Sequence, residues 1–191
     1  SWNAISYALN LFKNETCIFY LLNAYTPVIY HVEYVLVNPA QYGLGDAVRE
    51  NALKQLDIFK DRMTKTFKNP KHTIETIAAF NTLVSEVKEL VTKKKIDYVI
   101  MGTKGATGAT EVLFGSNTVH VFKNLDCPIL AVPAGFSFET PHEILFPTDY
   151  EIDYKDHHLK PLIDITSLFN TRVNILNVSY GYDLSEDQEA H

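Results

Sequence analysis

Three glycines and a serine define the chemistry open to this sequence. Gly102, Gly105, Gly115 and Ser116 follow the pattern Gly, two residues, Gly, nine residues, Gly-Ser. Glycine permits positive φ and removes side chains that would block a ligand. Gly115-Ser116-Asn117 opens a segment with apolar residues at Val119, Phe122 and Leu125, a near-helical spacing. Amides exposed at a helix N-terminus attract an anion, and the helix dipole adds to the attraction. Ser116 offers a hydroxyl to a phosphate oxygen, or a cap to the helix. Asn117 and Thr118 offer further amides. The chemistry suggested is phosphate binding; the alternative is a glycine loop that only joins strand to helix.

Such a loop must be held by strands. Ile96 to Met101 is an apolar run with β-formers that leads straight into Gly102, and Cys127 to Val132, CPILAV, reads as a second buried strand. Strand, glycine loop, helix N-terminus and strand make half of a nucleotide-binding βαβ unit. Upstream, Trp2, Ile5, Leu9 and Phe12 mark a helix over Ser1 to Lys13, with Ser1 as N-cap. Thr16 to Ala24 reads as a strand, and Pro27 to Gly45 as irregular. Asp46 caps a helix to about Lys68 with Leu53, Leu56, Phe59 and Met63 inward, ended by Asn69-Pro70. His72 to Phe80 is a strand and Thr82 to Lys94 a helix, closed by the dipole-matched run Lys93-Lys94-Lys95. This alternation predicts an α/β fold, an open parallel sheet with helices on both faces.

Residues 134–141 read as a linker. A strand follows at His142 to Asp149, then a helix over about Asp153 to Phe169 and a strand over Arg172 to Val178. LLNAY at 21–25 parallels ILNVSY at 175–180, which marks a weak repeat. The second copy has a strand before its helix and the first has none. The tail from Tyr182 to His191 is acidic and reads as loose.

The 191 residues suffice for one domain, or one and a fraction. A hydrophobic content of 46% with 21% charged residues is ordinary for a globular chain. The net charge of −6 argues against nucleic acid as a partner. No apolar run reaches the roughly 18 residues of a membrane span, and no signal peptide is visible. Cys17 and Cys127 lie in apolar runs and read as buried free thiols, which fits a reducing, cytoplasmic setting.

The glycine pattern, with its helix and the CPILAVP strand, resembles the universal stress protein family. The resemblance covers residues 1 to about 135, and 142 to about 180 as the start of a second copy. It implies the adenine nucleotide alpha hydrolase-like fold of that family, and the ATP-binding branch, whose loop wraps phosphates and ribose. It also implies a stress-response module with Mg²⁺ brought by the phosphates, and a tandem chain cut at both ends, with residues 1–135 lacking a first strand. Ala24 ends the strand where family members contact adenine through the backbone. Met101 either packs under the nucleobase or is a core methionine. Thr103 and Lys104 lie inside the loop, where Lys104 either pairs with phosphates or faces solvent. Asp149 matches the family's nucleoside-contacting aspartate by motif, in the second copy. Asp153, Asp156, His157 and His158 suggest a metal site less than an exposed helix start. No general base, arginine finger or Walker lysine accompanies the loop, so a regulatory nucleotide-binding module is expected rather than an enzyme. A slow ATPase or phosphotransferase using Lys104 or Asp149, and a dimerisation scaffold with a structural loop, are the alternatives.

Two partner expectations complete the reading. Cys127–Val132 comes last in its copy, is strongly apolar, and should form a homodimer through its sheet edge. Glu143–Pro147 either fills the vacant central place of the first sheet, in the same chain or by a swap into a second one, or stays with the second copy as a separate partial domain. Residues 134–141 span at most about 26–29 Å, which favours the swap.

Overall fold

The computed structural model describes residues 2–25, 44–103 and 115–177. The chain divides into two compact units, Ser1–Phe138 and Glu139–His191. The first contains α1 (Trp2–Leu11), β1 (Cys17–Tyr25), α2 (Leu44–Thr66), β2 (His72–Phe80), α3 (Leu83–Lys94), β3 (Val99–Gly102), α4 (Ser116–Asn124) and β4 (Ile129–Val132). Strand β1 pairs with β2 in parallel from Cys17↔His72 to Tyr25↔Phe80. Strand β3 pairs with β4 in parallel from Val99↔Ile129 to Gly102↔Val132. The class is α/β with parallel strands, as expected. Among the described residues, however, the two pairs do not join into one sheet. Among the described residues no strand lies between β1 and β3 to carry hydrogen bonds from one pair to the other.

Helix α1 ties the pairs together instead. Its buried face is Ala4, Ala8, Leu9 and Leu11, and it packs on β3 and β4. Near its start, Asn3 Nδ2 donates to the Pro133 carbonyl at 2.7 Å, just past β4. Beyond its end, the Phe12 ring meets Tyr98 at 5.5 Å, just before β3, while the Phe12 carbonyl lies 3.0 Å from Nε2 of His72, the first residue of β2. The helix therefore runs antiparallel to β3 and β4. Burial raises the pKa of both thiols, helped at Cys17 by Glu15 and then Asp97 and at Cys127 by Asp97, so β1, β3 and β4 all begin near the Asp97 carboxylate. Both cysteines are free and half-buried.

Helix α2 packs on β1 and β2. Its inward stripe is Ala52, Leu56, Phe59 and Met63. Leu53, expected inward, is 37% exposed, because it lies about 100° around the helix from Ala52. Asp46 falls within the first turn rather than at the cap. Thr82 is the N-cap of α3, its hydroxyl accepting from the Ser85 amide, and Lys95 closes that helix in the left-handed conformation. In α4 the buried face is Thr118 and Val121, while Phe122 is 39% exposed. The expected cap at Ser1, the irregular stretch from Pro27 to residue 43 and the acidic tail lie outside the described residues.

The second unit contains β5 (Glu143–Pro147), α5 (Asp156–Phe169) and β6 (Arg172–Leu176). The expectation that Glu143–Pro147 fills the vacant place in the first sheet of its own chain is corrected here. Every residue of β5 has a partner in β6, from Glu143↔Arg172 to Pro147↔Leu176. The local crossover through α5 closes a shorter loop than a return to β1 would, at lower entropic cost. At the start of α5, the Lys155 amide donates to Nδ1 of His158, so this histidine of the suggested metal cluster helps to set the helix start.

Met63 is 1% exposed and Ile58, on the same helix, is 57% exposed. We predict that Met63→Ala costs about 2–5 kcal/mol and Ile58→Ala less than about 0.5 kcal/mol, read from urea midpoints at constant m-value.

Candidate functional site

The glycine-loop site is built where β3 and β4 end and α4 begins. Strand β3 delivers Met101 and Gly102, paired with Ala131 and Val132. Past the strand ends, the Thr103 amide donates to the Val132 carbonyl at 3.1 Å, and the Thr103 carbonyl accepts from the Gly115 amide. Thr103 and Gly115 therefore form a hydrogen-bonded neck. Lys104 and Gly105, two of the predicted site residues, lie outside the described residues.

Gly115 is the N-cap of α4, with φ −66° and ψ 156° and no side-chain hydrogen bond to the first turn. Ser116 is thus the first helical residue and not the cap, which corrects one of its two expected roles. It is exposed, as is Asn117. The first turn of α4 carries no acidic side chain, so nothing on it offsets the positive end of the helix dipole. Thr118 turns inward. It is 2% exposed, and its hydroxyl donates to the Gly102 carbonyl at 3.2 Å. That bond fixes the helix start against the end of β3.

Gly102 and Gly115 do not use the left-handed backbone that the sequence suggested. Among the described glycines only Gly135 has positive φ. Among the described residues, a Cβ built on Gly102 would meet nothing nearer than the Val132 carbonyl at 3.9 Å, so they leave open the space that a side chain at position 102 would take.

Of the remaining predicted residues, Ala24 lies next to last in β1, in register with Ala79. Asp149 lies in the second unit, exposed just past β5, where its Oδ1 accepts from the Glu151 amide at 3.1 Å. The structure therefore brings together Met101, Gly102, Thr103, Gly115, Ser116, Asn117 and Thr118. The sequence reading missed the Val132 carbonyl, which closes the neck. Its signal was the end of the CPILAV run, which must align with Gly102 if the two strands are parallel.

The universal stress protein family model matches residues 1–133. This chain belongs to that family. A curated relative, universal stress protein MJ0531 of Methanocaldococcus jannaschii, is 46% identical over 48 residues, which are 25% of this chain and 28% of the relative. The chain thus aligns with well under two thirds of that protein's length. Among solved structures, universal stress protein UspA from Lactobacillus plantarum superposes with a TM-score of 0.56 at 16% identity, covering 68% of this chain and 86% of that one. Hypothetical protein MJ0577 superposes with a TM-score of 0.53 at 21% identity, covering 69% and 91%. These likenesses support the parallel α/β fold described above, and the family makes the chain a stress-response module.

The Thr118 bond yields a direct test. Thr118→Val keeps the shape but leaves the Gly102 carbonyl without its side-chain donor. We predict a loss of about 1–2 kcal/mol in unfolding free energy, partly recovered in Thr118→Ser. A valine variant as stable as the parent would show that the bond contributes nothing.

Proposed function

We propose that this member of the family is an ATP-binding regulatory module that works without efficient turnover. The observation that carries the reading is the open space over Gly102 beside an uncapped helix start. Gly102 has no Cβ to fill that space, and among the described residues no side chain at the Gly115 cap or acid in the first turn competes for the α4 amides. In this reading the phosphates lie against the amides of Ser116, Asn117 and Thr118, with the Ser116 hydroxyl as a further donor, while the Gly115 amide stays on the Thr103 carbonyl. Gly102 and Thr103 line the approach, with Lys104 and Gly105 completing the loop. Ala24 and Met101, near the ends of β1 and β3, face the nucleoside. The phosphates would bring Mg²⁺, which takes oxygen ligands and few protein groups. The described neck residues, Thr103 and Gly115 to Thr118, include no carboxylate or imidazole to serve as general base, which favours binding over hydrolysis.

Gly102→Ala and Gly115→Val separate a ligand role from a folding role. Both positions have backbone angles open to other residues, so each variant should fold, with Gly102→Ala within about 1 kcal/mol of the parent. Each should weaken ATP binding at least tenfold by calorimetry. A folded Gly115→Val variant with unchanged ATP affinity would reject the site.

The proposal extends to self-association. Strand β4 has a single hydrogen-bonded neighbour, β3, among the described residues. Its other edge, along Ile129–Val132, is the proposed homodimer seam, since an unpaired apolar edge recruits another strand. Light scattering at micromolar concentration should give twice the chain mass, and Ala131→Pro, which removes a backbone donor and fixes φ, should reduce it to one.

A further inference from the structure

A second cavity lies at the other end of the strands and owes nothing to the glycine loop. It occupies about 420 Å³ between the last turns of α2, the turn that follows and the start of β2. Leu9 of α1, Phe67 and Ile74 supply its apolar lining. Phe67 is held in place by Trp2, whose ring lies 6.4 Å away and carries the Arg62 guanidinium on its face at 3.7 Å.

The polar side of the cavity has a definite chemistry. Lys60 and Thr64, four residues apart on α2, line it together with Lys68, which lies just past the helix end. The Thr64 hydroxyl is spent on the Lys60 carbonyl at 2.9 Å. Neither lysine has an ion pair among the described residues, although Lys65 between them pairs with Asp61. Two lining lysines outside the ion pairs of the described residues stand out in a chain of net charge −6. The C-terminal end of α2 presents about half an elementary negative charge, less than the two full charges opposing it.

His72 closes the wall. Its Nε2 lies 3.0 Å from the Phe12 carbonyl and 3.1 Å from Asn69 Nδ2. Asn69 is itself fixed, donating to the Lys13 carbonyl at 2.7 Å and accepting from the Lys71 amide at 3.1 Å. The other ring nitrogen, Nδ1, is buried with no hydrogen-bond partner among the described residues. An apolar floor with a few convergent polar groups is the usual make-up of a small-molecule site, and the volume falls in the usual range.

We propose that this cavity binds a single-tailed amphipathic anion, with its head at Lys60 and Lys68 and its tail on Leu9, Phe67 and Ile74. The site is independent of the nucleotide reading. His72 opens β2 whereas Gly102 ends β3, so the two sites lie at opposite ends of their strands.

The test is calorimetric titration of the full chain with decanoate, decyl phosphate and decanol at low salt. Both anions should bind with one-to-one stoichiometry, and decanol at least tenfold more weakly. The double variant Lys60→Ala/Lys68→Ala should lose tenfold or more for the anions and nothing for decanol; both side chains are exposed, so the variant should fold. Thr64→Phe should narrow the cavity and weaken all three ligands. A preference between the two anions would identify the head group. Absence of saturable binding, equal affinity for decanol and decanoate, or a double variant that binds like the parent would each overturn the proposal.

Discussion

The first unit is held by helices packed across a break in its sheet, α1 on β3 and β4 and α3 on β1 and α4. A parallel sheet usually coheres through an unbroken ladder of backbone hydrogen bonds, yet here the ladder stops between β1–β2 and β3–β4. Helix α1 provides the continuity with side chains. Ala4 and Ala8 are small enough to bring its backbone close to the strands, and Leu9, 1% exposed, fills the space beside them. Burying a leucine of this kind contributes about 1.5–3 kcal/mol. The Asn3 and Phe12 contacts at the two ends then set the direction of the helix. Hydrophobic contact is less directional than a hydrogen-bond ladder, so these polar ends do the work of register that a shared strand would otherwise do.

The same arrangement explains why the candidate nucleotide site is well formed beside a broken sheet. It needs only β3, β4 and α4, which stay in register with one another. The Val132 and Gly102 carbonyls act as fixed acceptors at paired positions of adjacent strands. One receives the Thr103 amide and the other the Thr118 hydroxyl. Both bonds pull the loop ends onto the strand ends, so the start of α4 is positioned by sheet geometry rather than by its own cap. That leaves the first-turn amides available for an anion, which a serine or aspartate at the cap would have occupied.

The sequence made the order of elements legible because hydrophobic period and breakers agree in most segments. His72–Phe80 was read to the residue, and the glycine pattern located the neck. Three features were not legible, each for a physical reason. The inward face of α2 turns on a 100° difference between Ala52 and Leu53, which composition cannot resolve when both are apolar. The role of Gly102 was misread because glycine is compatible with both ordinary and left-handed backbone, and only coordinates show that the ordinary one is used. The Lys60–Thr64–Lys68 set was passed over because charges on an amphipathic helix usually face water. Only the fold brings Leu9 and His72, far off in sequence, to the same place.

The second unit poses the packing problem in its barest form. Partners in a parallel pair share a face, so Leu145 lies with Asn174 on one face and Ile175 with Phe146 on the other. Leu145 is 59% exposed and Ile175 is 66% exposed, so apolar area remains open on both faces of the pair. On α5, Ile163 is 55% exposed as well. Glu143 bridges to Arg172 at 3.2 Å and reaches Asn174 at 3.4 Å, but exposed pairs of this kind contribute at most about 1 kcal/mol. The gain from such contacts is small beside the conformational entropy of ordering the strands and the helix, roughly 1–2 kcal/mol per residue in backbone alone. Two strands and a helix are marginal when neither face of the sheet is fully covered. Stability in this unit must therefore come from covering Leu145 and Ile175, and a single added layer can reach only one of the two faces.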